Sequence, residues 1–229
     1  KYNSQNKIEN IINLVYKSEN YLALFAFPLV MIFIVLAEPI IIFLFTDNFS
    51  ESISIFQCLS IVLLVTSLNR PYTVLVTGMD RPLFLTYLSV IILVLSIILN
   101  IFMIPKSFLS FQTLGLGAFG AALSTTIIWF IQIPFYRFLA YKLTGFRPNY
   151  HIFSIFFCSL LTSVIIYIIY KNMHFKDEIS AIISLFISPF IYIFLIILSK
   201  TFDKEELLEI FHSANPKSMK NYVLGDLKK

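Results

Sequence analysis

The sequence predicts an all-α fold, a polytopic bundle of about six transmembrane helices. Three observations predict it. Of the 229 residues, 58% are apolar or aromatic and 13% are charged, about half the charge of a soluble domain. Mean hydropathy is +0.84. The apolar residues fall into blocks of roughly twenty, enough to cross a bilayer as helix, parted by short charged breaks. Transmembrane β-strands are excluded, because they need alternating segments of about ten residues and these runs are continuous.

Residues 1–20 are mixed polar. Ile8, Ile11, Ile12 and Val15 recur at helical spacing, with Lys7, Glu9, Asn10, Asn13 and Lys17 around them. The pattern predicts an amphipathic helix lying on the membrane surface and feeding the first span. That span is expected over 21–45, kinked at Pro28 and at Glu38-Pro39, since proline removes a backbone donor. The second runs over 53–77, its apolar run interrupted by Asn69-Arg70-Pro71, and ends at the turn Gly78 to Pro82. The third covers 83–104 and is closed by Pro105, with a short loop from Lys106 to Thr113. The fourth, 114–140, opens on small residues. Gly117/Ala121 and Gly120/Ser124 are spaced to let helix backbones approach closely in lipid. The fifth covers 152–170 and the sixth 179–198. From 200 to 229 the chain is polar, with a second short interfacial helix expected where Asp203 and Glu206 form a capping-box pattern.

The basic residues divide unequally. Lys1, Lys7, Lys17, Arg70, Arg81, Arg137, Lys142, Arg147 and the six lysines from Lys200 onward fall on one side. Lys106, Lys171 and Lys176 fall on the other. The bias places both termini in the cytoplasm, and termini on one side require an even number of spans, which six satisfies. Cys58 and Cys158 lie in apolar runs and read as packing residues, so no disulfide framework is expected. His151, His174 and His212 are scattered without metal-ligand spacing. No cofactor, metal, nucleic-acid partner or covalent catalysis is expected. The chain begins at Lys1 without a methionine or a signal-peptide pattern, and is expected to continue an upstream N-terminal part.

Several segments between residues 5 and 170 carry a resemblance. Phe27-Pro28 to Phe45 contains Ala37-Glu38-Pro39-Ile40 and Leu44-Phe45. Ser60 to Gly78 ends in a charged turn. Leu99-Asn100-Ile101-Phe102-Met103-Ile104-Pro105 precedes a loop and Leu116-Gly117-Ala118-Phe119-Gly120-Ala121-Ala122. In this order they resemble the bacterial polysaccharide flippases, the O-antigen and capsule repeat-unit transporters of the multidrug/oligosaccharidyl-lipid/polysaccharide exporter superfamily. The resemblance implies the C-terminal lobe of a two-lobe transporter in the bacterial inner membrane, with an N-terminal lobe as partner. It also implies a mid-membrane cavity working by alternating access, and a substrate that is an undecaprenyl-pyrophosphate-linked oligosaccharide.

Arg70 is the first substrate candidate. It lies about 12 Å before Gly78 along a helix, and a charge within hydrocarbon costs about 2.5 kcal/mol or more. A guanidinium facing a wet cavity would pair with pyrophosphate; otherwise it snorkels to headgroups. Asn69, Asn100 and Gln132 either bond sugar hydroxyls or link helices to one another. Glu38 is the ion-coupling candidate, or else reaches the outer interface beside the Pro39 kink. Arg137, Lys142 and Arg147 read as topology anchors that also attract anionic headgroups. The rival readings are a cation-coupled drug exporter of the same superfamily, which calls for carboxylates in the cavity, a membrane-embedded glycan polymerase or acyltransferase, and a non-transporting scaffold.

Overall fold

The computed structural model describes residues 2–79, 82–109, 111–145, 149–173, 177–199 and 201–202. The tail helix expected beyond residue 202 lies outside them, as do Arg81, Arg147 and His174. The described chain is all-α apart from one small hairpin. Its helices are α1 (Tyr2–Val35), α2 (Ala37–Phe45), α3 (Ser52–Gly78), α4 (Pro82–Met103), α5 (Gly117–Thr144), α6 (His151–Asn172) and α7 (Asp177–Leu198). Six stretches within them are long and apolar enough to span a bilayer, and the protein is a multi-pass membrane protein.

The N-terminal segment and the first span form one helix. Nothing in Ser18-Glu19-Asn20 breaks helical geometry, so α1 continues unbroken to Val35, and its apolar stretch begins at Glu9. The chain bends instead at Leu36, between α1 and α2. Pro39 cannot donate to the Val35 carbonyl four residues back. One turn of this bend is held from outside: Gln57 on α3 donates to the Ile34 carbonyl at 3.0 Å. Pro28 and Pro71 sit within continuous helices, as membrane helices tolerate.

Packing follows the order α4–α5–α3–α1–α6–α7, and α2 lies against α3 and α7. α4 stands at one end of this row. Only 6% of its apolar stretch is buried inside the protein, against 39% for α1, so the other described helices leave most of α4 uncovered. Three residues on α6, Ser159, Thr162 and Ser163, and Ser188 on α7 fill buried faces with small hydroxyls that bond their own helices: Thr162 to Cys158 and Ser188 to Leu185, each at 2.8 Å, are examples. Such hydroxyls let helices approach without orphaning a donor.

The glycines opening α5 have two separate duties. A Cβ on Gly120 would stand 2.6 Å from the Met103 carbonyl oxygen, so this glycine admits the end of α4. Gly117 has open space where a Cβ would go, but a φ of +58°. It serves the turn, where a left-handed conformation excludes most side chains, and not the helix contact. The loop before it is a hairpin, pairing Ser107–Phe108 with Phe111–Gln112.

Candidate functional site

Two arginines flank α3 towards the end of the bundle where α3 and α5 finish and α6 begins. Successive residues turn about 100° around a helix, so Arg70 and Tyr72 point to nearly opposite sides of α3. On the Tyr72 side, α1, α3, α5 and the start of α6 converge. Glu19 of α1 is fully buried. Its Oε1 accepts from Arg137 Nη2 of α5 at 2.9 Å, and the arginine side chain is 34% exposed. The Arg137 guanidinium carbon lies 5.5 Å from the centre of the buried Tyr72 ring, within cation–π range. Asn149 completes the group. Its Nδ2 donates to Asn20 Oδ1 at 2.6 Å and reaches Glu19 Oε2 at 3.5 Å. Its Oδ1 accepts from the backbone N–H of His151, the first residue of α6, at 3.2 Å. One carboxylate therefore ties three helices together across the flank of α3.

The sequence marks Arg137 as an anchor and passes over Glu19. The signal for Glu19 is present, however: a step of four from Val15 along the apolar stripe lands on it, and the next steps reach Ala23 and Phe27. Val15, Ala23 and Phe27 are all buried. A carboxylate continuing an apolar stripe within an unbroken helix must be buried and needs a cationic partner.

On the opposite flank, α1 and α3 leave a groove with a cavity volume of about 380 Å³. Its walls are apolar except for Ser18 and Arg70. Arg70 is exposed, and no acidic side chain among the described residues pairs with it. The groove falls at the lower end of the ~300–1,000 Å³ range of small-molecule sites.

The other candidates do not gather around Arg70. Asn69 is adjacent in sequence but points into the bundle, 3% exposed, and its Nδ2 has no partner among the described residues. Asn100, near the far end of α4, accepts from Ser124 Oγ of α5 and lies 3.5 Å from Ser96 Oγ; it links two helices. Gln132 is buried midway along α5. Glu38 is exposed in the first turn of α2, where a carboxylate is favoured by the helix dipole. Cys58 and Cys158 are both free.

No family model, curated protein or solved structure matches the chain.

Proposed function

We propose that the protein is the C-terminal lobe of a lipid-linked oligosaccharide flippase of the bacterial inner membrane, with both termini in the cytoplasm. Surface polysaccharide biosynthesis would require such a step, carrying an undecaprenyl-pyrophosphate-linked repeat unit between leaflets. The observation that carries the reading is Arg70: a cation within a candidate span, exposed, without an acidic partner among the described residues, and bordering an apolar groove. Intramembrane charges of this kind mark ligand pathways. A guanidinium meets a pyrophosphate through paired hydrogen bonds, and an apolar wall meets the chain that bears it. Asn69 is adjacent in sequence but points into the bundle, away from this groove, with an amide donor unpaired among the described residues; it is the candidate for a sugar hydroxyl only from the bundle side. The motifs around Glu38-Pro39, Asn100 and Gly117 to Ala122 give the family its support.

The test is complementation. The full-length protein is expressed in cells lacking their own repeat-unit transporter, and surface polysaccharide is measured. Wild type should restore it and Arg70→Ala should not. Restoration by the alanine variant removes Arg70 from the mechanism.

A second reading rests on Glu19. A cation-coupled exporter of the same superfamily calls for a carboxylate within the membrane, and Glu19 is fully buried within a candidate span. Glu38 lies exposed at a helix start and fits that role less well. Drug resistance conferred by wild type and lost in Glu19→Gln, with polysaccharide unaffected, would favour the exporter.

A further inference from the structure

We infer that the hairpin between α4 and α5 anchors the chain to the bilayer surface: Phe108, Leu109 and Phe111 enter the boundary between headgroups and acyl chains, and Lys106 pairs with an anionic phospholipid headgroup. The inference uses only the multi-pass architecture and stands apart from the flippase reading. The hairpin is fastened at the level where α4 ends. The backbone N–H groups of Leu114 and Leu116 donate to the carbonyls of Phe102 and Met103, in the last turn of α4, at 3.0 and 2.9 Å. At the base of the hairpin, the Thr113 N–H donates to the Lys106 carbonyl at 3.1 Å. α4 is a candidate span, so a structure tied to its last turn lies at the membrane border.

The hairpin is two-faced. Ser107 pairs with Gln112, and Phe108 with Phe111. Successive residues of a strand point to opposite faces, so one face carries a serine and a glutamine and the other carries two phenylalanines. The apolar side chains find little cover within the described chain: Phe108, Leu109 and Phe111 are 43%, 80% and 75% exposed. Leu109 has a φ of +53°. Hairpin turns ordinarily give such left-handed positions to asparagine or glycine, and a leucine is disfavoured there. Nothing it packs against offsets this, since its side chain is the most exposed of the three. The headgroup region would offset it by covering an apolar tip.

Charge and size favour the bilayer over a protein partner. Lys106 is exposed, and no acidic side chain among the described residues pairs with it. Its stem crosses the loop so closely that a Cβ on Gly115 would stand 2.8 Å from Lys106 Cγ. A lysine whose stem lies along the loop at a membrane border is suited to lipid phosphate. The three apolar side chains offer on the order of 400 Å², about half of one partner's share of a stable protein interface.

Photocrosslinking from the hairpin outward tests the inference. In the full-length protein, p-benzoylphenylalanine replaces Phe108, Leu109, Phe111 or Gln112, one at a time. Each protein is placed in nanodiscs of mixed phosphatidylglycerol and phosphatidylcholine, and the adducts are identified by mass. Phospholipid adducts should form from positions 108, 109 and 111, and markedly fewer from position 112 on the polar face. Phosphatidylglycerol adducts should be favoured about fivefold, the scale of one lysine near an anionic surface, and Lys106→Gln should abolish that preference. Adducts to another part of the protein or to a second copy would overturn the inference, because a protein surface would then cover the hairpin. The absence of lipid adducts at all three apolar positions would overturn it by placing the hairpin in water. Equal yields from positions 111 and 112 would remove the two-faced insertion, and no preference for phosphatidylglycerol in the wild type would remove Lys106 from the anchor.

Discussion

Arg70 and Arg137 have the same guanidinium, lie near the same end of the bundle and border the same helix, yet their surroundings are opposite. Arg137 faces a fully buried carboxylate at 2.9 Å and an aromatic ring at 5.5 Å. Arg70 faces an apolar groove and is exposed. The difference shows what an intramembrane charge is for. A cation that is paired holds structure together, because removing either partner strands the other in a poor solvent for ions. A cation left unpaired among apolar walls fastens no helix, and under the proposed function its partner is the substrate.

The largest expected effect falls on the paired side. Glu19→Ala should cost about 3 kcal/mol of stability, the lower end of the range for breaking a buried pair, because Arg137 keeps 34% exposure and can be partly solvated. Reversible unfolding in detergent or bicelles measures it. Joining Glu19→Leu to Arg137→Met should restore most of the loss, since a well-packed apolar pair often matches a buried ion pair. An additive double variant would mean that the two residues do not act as a unit.

Tyr72→Leu comes next, at about 1–2 kcal/mol, for the lost ring over a partly exposed guanidinium. The same unfolding measurement checks it, and the loss should shrink in an Arg137→Met background. Asn149→Ala should cost about 1 kcal/mol, the scale of one interhelical hydrogen bond in a membrane protein. Its clearer readout is faster hydrogen exchange at the start of α6, where Asn149 holds the His151 N–H. Arg70→Ala should be the smallest: an unchanged unfolding midpoint together with lost polysaccharide. If Arg70→Ala proved as destabilising as Glu19→Ala, the contrast between the two arginines would fail.

The candidate site was only partly legible. Arg70 was visible because a charge inside a long apolar run stands out whatever surrounds it. Asn100 was visible as a polar residue in a span, but whether it bonds substrate or a neighbouring helix depended on Ser124, 24 residues away in sequence. Glu19 was hidden by its neighbours. Ser18, Glu19 and Asn20 together read as solvated surface, and only an unbroken α1 carries them alongside α3 and α5. The glycines before α5 show the same limit. Their spacing announced close packing, but it took backbone geometry to assign the contact to Gly120 and the turn to Gly117.

The linear chain by itself determined that the fold is helical, that six stretches are long and apolar enough to cross lipid, and closely where most of them lie. The physical reason is local: a segment in hydrocarbon must satisfy its own backbone hydrogen bonds, and helix does so with residues four apart. Tertiary structure alone decided where the first span begins, that the bend falls at Leu36, which arginine is captured by Glu19, and which is left beside an open groove. These depend on which helices become neighbours, and lipid gives no hydrophobic preference among apolar faces. The choice is made by small residues, hydrogen bonds and a few buried charges whose partners lie more than a hundred residues apart in the chain, as Glu19 and Arg137 do.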